Sequence, residues 1–228
     1  MSQSLPSGLA CSGKSPKNLS RYLPVFWVAW LGVGACPAYG NAAGDEIGPV
    51  LQQSIIWIEE KPVLQQVYCV FRREFDLPQK PTQAQLHLFA DSRYILWING
   101  VYVDRGPCRF DSRYPEYDTL DIQKFLQPGP NAIAVLVHNY SGAVNGRMMN
   151  HLPGFTARLD IADSDGKITT ITTDEAWRAN DKTRFGLSPE IPDLLPGKHM
   201  WSSIADNIDA RKDTGDWSRP GFDDSQWT

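Results

Sequence analysis

Asn99-Gly100 stands between two apolar alternating runs, Tyr94-Ile-Leu-Trp-Ile98 and Val101-Tyr-Val103, and it constrains the fold more than any other feature. A two-residue type I′ turn needs positive φ at both central positions, which Asn and Gly tolerate, so the pair predicts a tight β-hairpin. An earlier run, Gln85-Leu-His-Leu-Phe-Ala90, reaches the hairpin through Asp91-Ser-Arg93. After a polar excursion over residues 104–117 the chain comes to Leu126-Gln-Pro-Gly-Pro-Asn131 and then Ala132-Ile-Ala-Val-Leu-Val-His138. That last run is apolar at both parities, with Ile133, Val135 and Val137 on one face and Ala132, Ala134 and Leu136 on the other. A strand apolar on both faces belongs at the centre of a sheet covered on both sides. The four runs predict the core of a β-sandwich.

The flanks agree. Val67-Tyr-Cys-Val-Phe-Arg-Arg-Glu-Phe75 reads as the first clear strand, with Arg72, Arg73 and Glu74 setting its polar end near solvent, and Leu77-Pro78 breaks it. Asp118 to Asp121 adds a short strand, and Ile122 to Leu126 one helical turn. Phe155, Ala157, Leu159 and Ile161 alternate with Thr156, Arg158 and Asp160 as a half-buried strand does. Ser164-Asp-Gly166 turns that strand into a Thr-rich, edge-like one over Ile168 to Thr173, and Trp177 to Asn180 gives a further short strand. With no repeat and no long amphipathic helix, the fold class is all-β, an antiparallel β-sandwich. At 228 residues and 42% hydrophobic the chain can bury one sizeable core.

Four stretches are expected. Residues 1–40 read as a signal peptide. Lys14, Lys17 and Arg21 precede an uncharged run, Tyr22 to Ala35, shorter than the ~20 apolar residues of a membrane span. Ala38-Tyr39-Gly40 offers a cleavage site. Val33-Gly34-Ala35-Cys36 offers a lipobox instead, with a lipidated Cys36, and an uncleaved anchor is the third option. All three export the chain, to the periplasm or beyond, and a cleaved mature chain would hold no membrane span. Residues 41–64 form a polar lead-in with one apolar patch, Ile55 to Ile58; residues 65–205 form the sandwich. Residues 206–228, rich in aromatics at Trp217, Phe222 and Trp227, read as the start of a following strand or domain, cut short.

A net charge of −4 without a Lys/Arg block argues against nucleic acid as a main partner. Eight Trp and eight Tyr suit a sandwich core and a sugar-stacking surface alike. An oxidising compartment would permit a bridge between Cys69 and Cys108, and two unrelated free thiols fit the sequence equally well. No His-x-x-x-His or Cys/His spacing marks a zinc site, and there is no nucleophile elbow or phosphate loop.

The residues also carry a family likeness. Ala90-Asp91, Arg93-Tyr94, Trp97-Ile-Asn-Gly100, Val103-Asp-Arg-Gly-Pro107, Arg109-Phe-Asp111, then Tyr117-Asp118, Asp121, Leu126, Gly129, Asn131 and Ile133-Ala-Val135 resemble the amino-terminal β-sandwich of bacterial α-L-rhamnosidases. A similar jelly-roll, galactose-binding-like module occurs in β-galactosidase-type glycosidases. The resemblance implies a non-catalytic module of a glycoside hydrolase whose acid and base carboxylates lie in a separate downstream (α/α)6 barrel. It also implies rhamnose- or galactose-containing glycans as ligands, with calcium as a possible companion. A self-standing secreted carbohydrate-binding or adhesion protein is the alternative, and glycosidase activity in this chain a second one.

The polar loop supplies the candidate site. Asn99, Arg105, Arg109, Asp111, Tyr114 and Tyr117 combine planar hydrogen-bonding groups with aromatic faces, which is what a sugar needs. The carboxylates of Asp104, Asp111, Glu116, Asp118 and Asp121 read better as turn caps and surface ion partners than as a catalytic pair, since nothing in the spacing fixes two of them across a cleft.

Overall fold

In a computed structural model, residues 20–21, 47–58, 67–108, 110, 115–139, 153–187, 206–212 and 215–228 are described. In chain order the elements are β1 (Ser20–Arg21), α1 (Ile47–Gln53), β2 (Ile56–Trp57), β3 (Val67–Leu77), β4 (Gln83–Asp91), β5 (Arg93–Ile98), β6 (Val101–Gly106) and β7 (Asp118–Asp121). After a 3-10 turn at Gln123–Phe125 come β8 (Gly129–Asn139), β9 (Gly154–Ala162), β10 (Ile168–Thr172), β11 (Arg178–Asn180), β12 (Phe185–Leu187) and β13 (Asp206–Ile208). The predicted leader lies outside the described residues apart from Ser20 and Arg21. No helix among the described residues is long and apolar enough to cross a membrane.

The strands form two main sheets, antiparallel throughout. One runs β1-β2-β9-β4-β7, with β10 also on β9; the other runs β11-β3-β8-β5-β6; β12 and β13 pair separately. The strand apolar at both parities, β8, is the middle one of five, as its pattern requires. Asn99 (φ 52°) and Gly100 (φ 82°) make the predicted hairpin turn between β5 and β6. A Cβ on Gly100 would lie 2.7 Å from Cγ of Arg219, so close approach as well as backbone conformation fixes glycine there.

Between the sheets lies one core. Cys69 and Phe71 of β3, Leu86 and Leu88 of β4, and Leu96 and Ile98 of β5 meet Ile133, Val135 and Val137 of β8. The inward set of β9 joins them as predicted, with Phe155 stacked on Phe71 (5.0 Å) and edge-on to Trp177 (5.3 Å). Cys69 is buried and Cys108 exposed, and no disulfide joins the two.

Asn131, fully buried, holds the lead-in to β8. Its Nδ2 donates to the carbonyls of Gln127 (2.8 Å) and Gly129 (2.9 Å), and its Oδ1 accepts from the Gln127 N–H (3.0 Å). Asn99 completes the clasp. Its Nδ2 donates to Asn131 Oδ1 (2.8 Å) and the Phe125 carbonyl (3.0 Å), and its Oδ1 accepts the Ala132 N–H (2.8 Å).

Residues 215–228 lie across the outer face of the five-stranded sheet. Trp217 is buried there edge-on to Trp97 (5.2 Å) and clusters with Val70, Ala134 and Leu136, while Phe222 and Trp227 pack alongside. The Gly100 N–H donates to the Ser218 carbonyl (2.9 Å), and Thr228 exchanges two backbone bonds with Ala179 of β11 (2.8 and 3.0 Å). The aromatics read as the opening of another strand thus find their partners on this sheet.

One sequence expectation is corrected. Arg72 is not near solvent but 1% exposed, because the 215–228 segment covers it. Its guanidinium donates to the carbonyls of Trp217 (3.0 Å) and Arg219 (3.0 Å) and pairs with Glu74 and Asp224. A buried charge persists only when paired and hydrogen-bonded in this way.

Candidate functional site

Alternation along each strand fixes which residues share the outer face of the five-stranded sheet. On β3 these are Tyr68, Val70 and Arg72; on β8, Ala134, Leu136 and His138; on β5, Arg93, Ile95 and Trp97. Cross-strand register then sorts them into rows: Tyr68, His138 and Arg93 in one, and Val70, Leu136, Ile95 and Arg105 in the next. Arg72, Ala134 and Trp97 form the third row, and the 215–228 segment lies on it.

At the other end of that face the first two rows, except Val70, line a recess of about 480 Å³. Leu136 and Ile95 supply an apolar floor. Tyr68 and His138 stack on each other (centroids 3.9 Å apart, planes at 21°), and Phe185 lies against Tyr68 at 5.9 Å. Arg93 and Arg105, both exposed, stand on the rim. A polar rim on an apolar, pre-formed floor is the usual composition of a small-molecule or sugar site.

Two carboxyl groups lie close by. The Tyr94 hydroxyl donates to Asp118 Oδ2 (2.6 Å), and burial together with that bond pushes the phenol's pKa upward, so it stays a donor. Gly106 leaves room for this pair, since a Cβ there would collide with both the Asp118 carboxylate and the Tyr94 hydroxyl. Asp91, at the end of β4, has its pKa pushed up to about 7 by burial, partly offset by a bond with Ser92.

The candidate residues do not converge. Arg105 lines the recess. Asn99 sits in the turn with its amide committed to the clasp on Asn131 and Ala132. Tyr117 lies on the outer side of the other sheet, edge-on to His87 (5.9 Å), and with Leu51, Ile55 and Phe89 lines a smaller pocket of about 80 Å³. Arg109, Asp111 and Tyr114 lie outside the described residues. Among the described residues no three His, Cys, Asp or Glu side chains come together where a metal could sit. Asp104 and Asp121 accept the backbone N–H groups of Arg105 (2.8 Å) and Gln123 (3.0 Å), as turn-capping carboxylates do.

Sequence reading missed Tyr68, Ile95, Leu136 and His138. The signal was faint but present: His138 ends an otherwise aliphatic parity of β8, and Tyr68 is a ring side chain at one parity of β3. Only the register shows that they face each other.

Residues 79–228 match a family described as the alpha-L-rhamnosidase N-terminal domain. Over 167 residues, 68% of this chain and 15% of the relative, the sequence is 34% identical to an α-L-rhamnosidase of Streptomyces avermitilis. A β-galactosidase of Arthrobacter sp. is 29% identical over 154 residues, 60% of this chain and 15% of its own. The crystal structure of a rhamnosidase of Bacillus sp. GL1 superposes with a TM-score of 0.63 at 33% identity, covering 77% of this chain and 17% of that one. The chain thus spans about a sixth of the length of the curated relatives it matches.

Proposed function

The chain belongs to the family of α-L-rhamnosidase N-terminal domains, and from that premise we propose that it serves as the exported, non-catalytic β-sandwich module of a larger α-L-rhamnosidase-like glycoside hydrolase, holding carbohydrate at the recess of Tyr68, Ile95, Arg105, Leu136 and His138. Bond cleavage belongs, in this reading, to a partner catalytic domain with its own acid and base. The module keeps a rhamnose- or galactose-containing glycan near that domain and raises its effective concentration there.

The observation that carries the reading is the division of one sheet face. The chain's own 215–228 segment closes one end of it and leaves a polar-rimmed recess at the other. Export rests on Lys14, Lys17 and Arg21 ahead of the uncharged run from Tyr22 to Ala35. A glycan array followed by calorimetry, each with and without a calcium chelator, tests the binding role. Saturable binding of a rhamnose- or galactose-containing glycan is expected. A folded protein that retains no glycan overturns it. Turnover of an aryl-rhamnoside by the purified chain would overturn the non-catalytic half.

A bracing duty against the catalytic domain is the second reading. Val101 and Tyr102 favour it, since they stand 52% and 53% exposed beside the hairpin turn and offer apolar contact area.

A further inference from the structure

We propose that the recess selects an acidic sugar, a uronic acid unit whose carboxylate docks on the Arg105 guanidinium while its ring lies over Ile95. This deepens the glycan-binding reading and rests on it.

Arg105 carries the inference. It projects from the edge strand β6 directly opposite Ile95, on the face that holds the recess. The ion pairs among the described residues join Arg72 to Glu74 and Asp224, Arg158 to Asp160, Arg211 to Asp209 and Arg219 to Asp216, and none includes Arg105. Its neighbour Asp104 pairs with Leu96, a residue of the inter-sheet core, so strand alternation turns that carboxylate to the opposite face. Asp118 is engaged by the Tyr94 hydroxyl. No Asp or Glu is among the described residues that line the recess, whereas Arg93 adds a second guanidinium to its rim. Positive charge thus stands on the rim at Arg105, while the Asp118 carboxylate lies deeper, against Tyr94 and Gly106 of the wall.

The shape narrows the class. A guanidinium presents two parallel N–H groups that match the two oxygens of a planar carboxylate. Beside it lies the half-exposed Ile95, backed by Leu136 and the Tyr68–His138 ring pair, an apolar surface that suits the C–H face of a pyranose. A volume of about 480 Å³ is enough for one or two sugar units.

Calorimetry on the full chain provides the test. The ligands are D-galacturonate and D-glucuronate, their methyl esters, L-rhamnose, D-galactose, galactose 6-sulfate and sodium acetate. A uronate is expected to bind best, about tenfold more weakly as the ester and about tenfold more weakly again by the free acid after Arg105→Gln. Added salt should weaken it, and the variant should keep the wild-type Tm. Equal binding of acid and ester, an unchanged affinity in Arg105→Gln, or a preference for the sulfated sugar or for acetate would overturn the inference. Binding of neutral sugars with indifference to the carboxylate sinks the inference and spares the glycan reading. Failure of every sugar to bind sinks both.

Discussion

The two ends of one sheet face solve the same problem in opposite ways. Both extend the outer surface of β3, β8 and β5, where the central strand is apolar and cannot stay bare. At the Arg72 end the chain covers itself: Trp217 buries its ring on Trp97 and Ala134, and Arg72 fastens the covering segment by its backbone. At the Tyr68 end a recess remains: Leu136, Tyr68 and His138 are buried in its walls, Ile95 is half-exposed, and Arg93 and Arg105 stand on its rim. A face that is closed by its own chain gains stability, and a face left as a recess gains the ability to exchange ligands. The contrast is what supports the site proposed at the recess.

Substitutions can break the contrast. Arg72→Ala should have the largest effect, a loss of about 4 kcal/mol in chemical unfolding, because it leaves Glu74 and Asp224 without their cation and the carbonyls of 217 and 219 without a donor. Trp217→Ala should cost about 3 kcal/mol through the vacated aromatic volume. Glycan affinity measured on the folded fraction should stay within twofold of wild type, and a parallel loss of affinity would show that the two ends are coupled.

Asp91 tests the open end by pH. Its folded pKa, about 7, lies above the ordinary 3.8, so the native state holds the proton more tightly than the unfolded chain. That contribution is fully present below pH 3.8 and is lost as pH rises through 7. Asp91→Asn should therefore flatten this decline and stabilise the protein at pH 8 by on the order of 2 kcal/mol relative to wild type, read from denaturant midpoints at pH 5 and pH 8. The smallest effect belongs to Arg105→Gln, which should change stability by less than about 0.5 kcal/mol, since the side chain is exposed and joins no ion pair among the described residues. A larger loss would make Arg105 part of the scaffold.

Much of the scaffold was legible because period and turn chemistry are local. Asn99-Gly100, the two-sided apolar run of β8 and the alternation of β9 each announced their place. What escaped was long-range. Arg72-Arg73-Glu74 looks like a solvated strand end, and nothing nearby says that Trp217, Arg219 and Asp224 will bury it. The candidate site was legible only at Arg105. The remaining walls of the recess come from three strands whose juxtaposition depends on register, and side chains such as Tyr68 and His138 look unremarkable until the strands are aligned. Asn99 drew notice as a sugar ligand because it is polar in a turn; its amide instead satisfies backbone and Asn131.

That amide also acts as a vernier. Asn99 meets Asn131 and Ala132 in a single alignment, which fixes how far the hairpin may slide along its neighbour. Displacement by one residue would swap the parity of β5 against β8, sending Leu96 and Ile98 outward and drawing Arg93 and Ile95 into the interior. Two side-chain amides thereby decide which side chains the outer face of the sheet presents.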